Sequence, residues 1–123
     1  MSYFTAPSSC FPPFEDGEAG CFYMSKVKMT WLDGRNHCRS LGADLAVPTD
    51  FDAFLSYATR AGLPQDVWLG IYDQKWLNGS RVAKELWYDG QPNGPPQYCA
   101  RKYNSRLADA PCANANDFLC EIK

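Results

Sequence analysis

The sequence is poor in the residues that metal sites and hydrolytic active sites use. Its 123 residues include one histidine, His37, and none of the six cysteines lies in a Cys-x-x-Cys pair. A structural zinc site normally requires close-set cysteine and histidine pairs, so this spacing argues against one. His37 lies far along the chain from Asp109, and no Ser-His-Asp arrangement is visible. We therefore expect a protein that is not an enzyme, with His37 on the surface of a helix.

Long apolar runs and a strong excess of one charge are also missing. No apolar run approaches the roughly 18 residues that a transmembrane helix requires. The formal net charge is −2 and there is no basic stripe, which makes nucleic acid and anionic membranes poor partners. Residues 1–7 lack the basic start and apolar segment of a signal peptide. We expect the signal peptide to be absent from this sequence, with Met1 an introduced start.

What the sequence does contain is apolar residues, aromatic rings and cysteine. Hydrophobic residues make up 46% of the chain and aromatic residues 15%, enough for one core in a single domain. Six cysteines in so short a chain indicate three disulfides, and hence a secreted (extracellular) protein or an ectodomain. Fifteen pairings are possible, and spacing alone does not choose among them. The cysteines are Cys10, Cys21, Cys38, Cys99, Cys112 and Cys120.

Two helices are predicted in the first half of the chain. The first lies between Thr30, a capping residue, and Gly42, because apolar residues recur there at helical spacing. The second follows Pro48, with Thr49 as its cap and Gly62 as its end. Its apolar stripe consists of Phe51, Phe54, Leu55 and Ala58.

Strands and loops are predicted for the remainder, which makes the fold class α+β. A tight turn is expected at Asn78-Gly79 and a long loop at 90–96, where glycine, proline and asparagine cluster. The predicted strands cover residues 21–24, 67–71, 98–100 and 118–122.

Several separately placed motifs agree in order and spacing with one known pattern. They are Trp31 seven residues before Cys38, then Ser-Leu-Gly-Ala-Asp-Leu-Ala at 40–46, Trp-Leu-Gly-Ile at 68–71, Asp-Ala-Pro-Cys at 109–112 and Phe-Leu-Cys-Glu at 118–121. Together they resemble the long form of the C-type lectin-like domain over residues 10–122. The motif after the first helix is similar to that of secreted invertebrate immune C-type lectins.

The resemblance implies an architecture and a disulfide pattern. We expect an N-terminal extension at 1–9 and a single domain at 10–123. Its fold would be two helices packed on small antiparallel sheets, with a long loop region and three disulfides. The implied pairs are Cys10–Cys21, Cys38–Cys120 and Cys99–Cys112.

Sugar-binding members of this family hold the sugar through a calcium ion, and the resemblance locates the matching ligand positions here. Gln91-Pro92-Asn93 corresponds to the ligand triplet in a mixed form, and the bond before Pro92 is implied to be cis. Gln97 and Asp109 occupy the two further ligand positions. The resemblance thus makes Gln91, Asn93, Gln97 and Asp109 the metal ligands, and these four with Pro92 and Tyr98 the ligand-binding residues.

The same positions depart from the family pattern in ways that remove negative charge. Gln97 stands where a glutamate is usual, and Ala108 where an asparagine is usual. Tyr98 replaces an expected acidic ligand of the auxiliary calcium position, and the segment from Asp73 to Trp76 is short. Calcium affinity follows the number and charge of oxygen ligands, and Asp109 is the one carboxylate left. We therefore expect calcium to bind weakly or not at all.

Asn78-Gly79-Ser80 is an N-glycosylation motif in a chain expected to be secreted. Asn-Gly is also the preferred pair of a type I′ hairpin turn, and the two interpretations are compatible.

Aromatic residues could pack in the core or stack on sugar rings. Trp68 and Trp87 sit in motif positions and are expected in the core, with Trp76 open between the two roles. Tyr98 and Tyr103 lie near the loop and are the better candidates for exposed stacking.

Two functions of different class remain open at this stage. The first is a carbohydrate-recognition module in innate immune recognition that reads sugar hydroxyls at the Gln91 loop, for which the resemblance is the argument. The second is a protein- or surface-binding module that keeps the fold and has lost the sugar site, for which the missing carboxylates are the argument. The ligand is thus a glycan or a protein surface.

Overall fold

The computed structural model describes residues 10–17 and 20–123, so the expected N-terminal extension at 1–9 lies outside the described residues. Within these ranges no helix is long and apolar enough to cross a bilayer. The helices are α1 (Trp31–Ser40) and α2 (Phe51–Ala61), and a 3₁₀ turn spans Lys84–Leu86. The strands are β1 (Glu15–Asp16), β2 (Cys21–Met24), β3 (Asp44–Leu45), β4 (Asp66–Tyr72), β5 (Lys75–Trp76), β6 (Cys99–Tyr103), β7 (Arg106–Ala110) and β8 (Asp117–Ile122).

The strands form a mixed sheet in the order β1-β2-β8-β4-β6-β7, with β3 added to β8 and β5 added to β4. Strand β8 pairs antiparallel with β2 and parallel with β4, where Val67 lies opposite Asp117. The other named pairs are antiparallel. The α+β class with two helices is confirmed. The sequence predicts small antiparallel sheets, and the parallel β4–β8 pair joins them into one mixed sheet.

Side-chain caps fix where the two helices begin. Thr30 Oγ1 accepts the backbone N–H of Asp33 at 3.2 Å, as the sequence predicts for α1. In α2 the cap is Asp50, whose Oδ1 accepts the N–H of Ala53 at 3.0 Å. The predicted cap at Thr49 is therefore wrong by one residue, because the carboxylate of the next residue occupies the capping position.

Helix α1 packs closely on β8 because residue 34 is glycine. A Cβ atom at Gly34 would lie 3.1 Å from the ring of Phe118. Glycine weakens a helix interior by about 1 kcal/mol relative to alanine, but here it allows the two elements to approach. His37 is half-buried in the same helix, and its ring centroid lies 5.7 Å from that of Phe118.

The tryptophans in the centre of the chain belong to the core. Trp68 is fully buried, and its indole N–H donates to the carbonyl of Met29 at 3.1 Å. Trp87 and Trp76 retain 7% and 8% exposure, so all three are unavailable for stacking on a sugar ring. The predicted core roles of Trp68 and Trp87 are confirmed, and Trp76 joins them.

Three disulfides are present, and their pairs are those that the resemblance implies. Cys10–Cys21 closes the N-terminal segment. Cys38–Cys120 ties α1 to β8 across 82 residues. Cys99–Cys112 connects the start of β6 to the segment after β7. In the chain-entropy picture the long loop closed by the second disulfide contributes the most, roughly 4–5 kcal/mol.

The predicted tight turn at Asn78-Gly79 is present, with the N–H of Gly79 donating to the carbonyl of Trp76 at 2.8 Å, but the type I′ hairpin lies at Asp73-Gln74. Asp73 and Gln74 have φ angles of 53° and 62° and connect β4 to β5 in a two-residue turn. Two positive φ angles define the type I′ turn. Gly79 has a φ of 93°, but Asn78 is not among the residues with positive φ. The type I′ interpretation of Asn78-Gly79 is therefore wrong.

A buried carboxylate lies where β8 meets the segment after β3. Glu121 is 3% exposed, and its Oε1 accepts the N–H of Val47 at 2.9 Å. Burial raises the pKa of Glu121, although the Lys123 ammonium at 3.0 Å and the Val47 N–H both act to lower it. This carboxylate therefore costs the folded state free energy once it is ionised.

Candidate functional site

A long loop at residues 88–98 connects the 3₁₀ turn to β6 and lies against β7. At its start the backbone N–H of Tyr88 donates to the carbonyl of Leu107 at 2.7 Å. The Gln91–Pro92 bond is cis, as the resemblance implies. The loop is thus attached to the sheet at its first residue, and it carries the predicted ligand triplet.

Asp109 on β7 fastens the middle of this loop to the sheet. Its side-chain Oδ2 accepts the backbone N–H of Gly94 at 2.8 Å. Its Oδ1 lies 2.9 Å from the side-chain amide of Gln97, whose nitrogen is assigned to this side because an oxygen there would face only acceptors. The backbone N–H of Asp109 donates to Oε1 of Gln91 at 3.0 Å. Asp109 is 4% exposed, so this buried carboxylate has a hydrogen-bond donor on each oxygen.

A polar groove of about 380 Å³ opens beside Asp109. The guanidinium of Arg101 crosses it, with Nε 3.0 Å from Oδ1 of Asp66 and Nη1 2.8 Å from the carbonyl oxygen of Asp109. Four predicted site residues meet here, accompanied mostly by other polar side chains. The groove is lined by Asp66, Gln91, Asn93, Gln97, Arg101, Asp109, Ala110, Pro111, Asn114 and Asn116.

Sequence reasoning missed Arg101, Asp66, Asn114 and Asn116. A signal for the two asparagines was available, because the Cys99–Cys112 pair brings the segment after residue 112 next to the start of β6. Arg101 lies on β6 and Asp66 at the start of β4, which is the neighbouring strand. That pairing is not visible in the sequence.

A second cavity of about 360 Å³ lies on the other side of the triplet. Gln91 lines both this cavity and the groove, whereas Pro92 lines the cavity alone. Two basic residues, Arg81 and Lys84, contribute to its wall. The remaining lining residues are Gln74, Val82 and Trp87.

Comparison with known families settles which group of proteins shares this arrangement. The family model described as "Lectin C-type domain" matches residues 27–122, which is most of the chain. The chain belongs to the C-type lectin family. The predicted resemblance is confirmed.

Proteins similar to this C-type lectin domain include one from Haliotis laevigata and two of known structure. Perlucin from Haliotis laevigata is 28% identical over 123 residues, covering 88% of this chain and 79% of perlucin. The mouse scavenger receptor C-type lectin carbohydrate-recognition domain superposes with a TM-score of 0.80 at 26% identity, covering 94% of this chain and 98% of that one. A calcium-independent type II antifreeze protein has the same fold, with a TM-score of 0.77 at 22% identity over 91% of this chain and 92% of its own.

The calcium ion of the family does not fit the residues of this C-type lectin domain. Calcium requires six to eight oxygen ligands, several of them anionic. Both carboxylate oxygens of Asp109 already accept hydrogen bonds, and Oε1 of Gln91 accepts another. The other carboxylate of the groove, Asp66, is paired with the guanidinium of Arg101. Among the described residues no group of three or more His, Cys, Asp or Glu side chains could hold a metal ion.

Tyr98 lies outside the groove. Its ring stacks on that of Tyr72, with centroids 5.7 Å apart and planes inclined by 21°. The two rings are 37% and 47% exposed, so they form an aromatic pair open to solvent. Tyr103, the other predicted stacking residue, packs instead against Tyr88 at 5.0 Å and beneath the guanidinium of Arg101 at 5.2 Å.

Asn78 is exposed, as a glycosylation site must be. Its Oδ1 accepts the backbone N–H and the hydroxyl of Ser80 at 2.9 and 2.6 Å. The motif is therefore in a surface turn, and glycosylation of Asn78 stays a prediction.

Proposed function

We propose that this domain is a carbohydrate-recognition module that binds its glycan without calcium. The observation that carries the proposal is the hydrogen bonding of Asp109 with Gly94 and Gln97. In this arrangement two protein donors satisfy the carboxylate that would otherwise face a metal ion. The loop at 88–98 thus keeps its position through its own contacts, and it needs no ion to present the groove.

The chemistry of the groove suits sugar hydroxyls. Asn93, Asn114 and Asn116 line it with side-chain amides, and each amide both donates and accepts hydrogen bonds. A hydroxyl group also donates and accepts, so such amides match it in either direction. Arg101 and Asp66 add one charged donor group and one charged acceptor group at the wall. Convergent polar groups of this kind fix the orientation of a bound small molecule.

The names of similar proteins support both parts of the proposal, carbohydrate recognition and independence of calcium. The mouse scavenger receptor domain is named a carbohydrate-recognition domain, and the antifreeze protein is named calcium-independent. We extend the proposal to action outside the cell because the domain has three disulfides. A role in innate immune recognition rests on the similarity to secreted invertebrate immune lectins.

A glycan-binding experiment with and without calcium tests the proposal. The folded domain is applied to a panel of immobilised oligosaccharides in 1 mM calcium and again in EDTA, and we expect the same sugars to be retained in both. The double variant Asn114→Ala, Asn116→Ala removes two groove amides and is expected to weaken retention at least tenfold. Asn36→Ala changes an exposed asparagine on α1 and serves as the matched control. Retention that disappears in EDTA would contradict calcium independence.

A second candidate, binding of a protein or another surface, is favoured by the exposed pair Tyr72 and Tyr98. Stacked aromatic rings with this exposure lie outside the groove and are the kind of residue enriched at protein interfaces. A domain that retains no oligosaccharide in either condition would favour this candidate over the first.

A further inference from the structure

We propose that the cavity lined by Arg81 and Lys84 binds an acidic group of the glycan, so that the ligand is a sulfated or carboxylated saccharide. This inference rests on the proposed function, because it concerns a ligand that also occupies the groove. It adds a second contact region and a chemical class of ligand.

The charges in this cavity are of one sign. Arg81 and Lys84 line it, and no Asp or Glu does. Within residues 10–17 and 20–123, neither basic side chain forms an ion pair or a side-chain hydrogen bond with the protein. The chain as a whole has a net charge of −2, so this local excess of positive charge is not a property of the overall surface. Two unpaired cations at one cavity attract an anion.

The backbone that carries the two cations is fixed by hydrogen bonds. The backbone of Arg81 forms an antiparallel β-bridge with that of Lys75. The backbone N–H of Val82 donates to the carbonyl of Gln74 at 3.1 Å. Lys84 begins the 3₁₀ turn, in which the N–H of Trp87 donates to the Lys84 carbonyl at 3.3 Å. Both side chains therefore start from defined positions, which lowers the entropy lost when they close on a ligand.

The remaining walls match a sugar ring that carries the acidic group. Pro92 supplies accessible apolar surface, the largely buried Val82 and Trp87 close the cavity on the core side, and Gln74 and Gln91 supply amides. A guanidinium presents parallel N–H donors to two oxygens of a sulfate or carboxylate, and an ammonium adds a point charge. The volume of about 360 Å³ is at the small end of ligand sites, as expected for one substituted sugar unit.

The cavity continues into the groove through Gln91, which lines both. A saccharide can therefore place hydroxyl groups among the groove amides and its acidic substituent between Arg81 and Lys84. Binding both parts in one molecule raises affinity over either part alone, because the second contact is intramolecular.

A panel of matched saccharides in EDTA tests the inference. Each neutral oligosaccharide is paired with its sulfated and its sialylated derivative, which separates sulfate from carboxylate as the source of the charge. We expect at least one acidic derivative to bind ten or more times as tightly as its neutral partner. The double variant Arg81→Gln, Lys84→Gln should reduce that ratio to about one, through weaker binding of the acidic derivative.

The control variant Arg39→Gln, Lys28→Gln removes the same charge from exposed positions outside the cavity. This control should keep the preference for acidic saccharides. If both double variants lose that preference equally, the inference is overturned. Neutral binding without any acidic preference would also overturn it and leave the proposed function standing. A panel with no retained saccharide, neutral or acidic, would instead reject the proposed function.

Discussion

The carboxylate of Asp109 accepts the backbone N–H of Gly94 at 2.8 Å, across fifteen residues of sequence. This bond joins strand β7 to the loop at 88–98. A buried carboxylate with a donor on each oxygen is well solvated by the protein itself, so it exerts little pull on an added cation. Hydrogen bonds to Asp109 thus hold the loop at 88–98 against the sheet.

Calcium is expected to change the stability of the domain very little. A ligand that binds only the folded state stabilises it by RT ln(1 + [L]/Kd), which is well under 1 kcal/mol for a millimolar site at ~1 mM calcium. Melting temperatures in calcium and in EDTA check this directly. A rise of more than about 5 °C in calcium would mean that the neutral oxygens of the loop bind the ion far better than their charge predicts.

Restoring negative charge should create a calcium dependence that the parent lacks. The double variant Gln91→Glu, Gln97→Glu adds two carboxylates, and the one at position 97 lies beside Oδ1 of Asp109, where the Gln97 amide now donates. We expect a lower melting temperature in EDTA because like charges repel, recovery in calcium, and calcium affinity at least tenfold above the parent. Isothermal titration and melting in both buffers measure these effects.

The matched control for that experiment is Asn36→Asp, Gln65→Glu, which adds the same charge at exposed positions. A calcium response of equal size in the control would assign the effect to overall charge and not to the loop.

Removing the charge of Asp109 should destabilise the fold. Asp109→Asn leaves one oxygen to accept from two donors, the Gly94 N–H and the Gln97 amide. The new amide N–H then faces one of these donors. Buried donors are left unsatisfied, at a cost of about 1–3 kcal/mol. Urea denaturation compared with Asp89→Asn, an exposed control on the same loop, measures the difference. Equal free energies of unfolding for the two variants would show that Asp109 does not hold the loop.

Glu121 should make stability depend on pH in the acidic range. Its pKa is raised by burial in the folded state, so the folded protein binds more protons than the unfolded chain at pH values above the ordinary 4.5. The contribution of Glu121 to the free energy of unfolding is therefore largest below pH 4.5. It declines as the pH rises through the folded-state pKa. Glu121→Gln keeps an oxygen for the Val47 N–H and should flatten this decline in urea melts from pH 4.5 to 7.

Glu85→Gln, at an exposed position, is the control for the pH series. If it flattens the profile as much as Glu121→Gln does, the decline has another origin.

The sequence predicts those parts of the fold that depend on local pattern. Thr30 and Gly62 mark helix ends because capping and left-handed backbone conformations are local preferences, and Gly62 has a φ of 68°. The hairpin at Asp73-Gln74 was missed because Asn-Gly has the stronger intrinsic preference for a type I′ turn. The register of β4 and β5, in which Tyr72 pairs with Lys75, leaves two residues for the turn. That register is not visible in the local sequence.

The candidate site is predictable only in part, for a similar reason. Gln91, Asn93, Gln97 and Asp109 were found because the resemblance fixes their positions in sequence. Arg101 was not, because its role follows from the pairing of β6 with β4 and β7. Strand β7 itself was not predicted, since four consecutive buried residues at its end hide the alternation that marks a half-exposed strand.

Strand β8 lies in the middle of the sheet, between β2 and β4, yet it follows the other described strands in the chain. Until it emerges from the ribosome, β2 and β4 have no shared neighbour and Cys38 has no partner thiol. The part of the sheet that contains β1 and β2 therefore cannot join the part that contains β4, β6 and β7 before β8 is made. Joining the two parts must wait for β8 and then closes contacts between residues far apart in sequence, and such contacts slow folding.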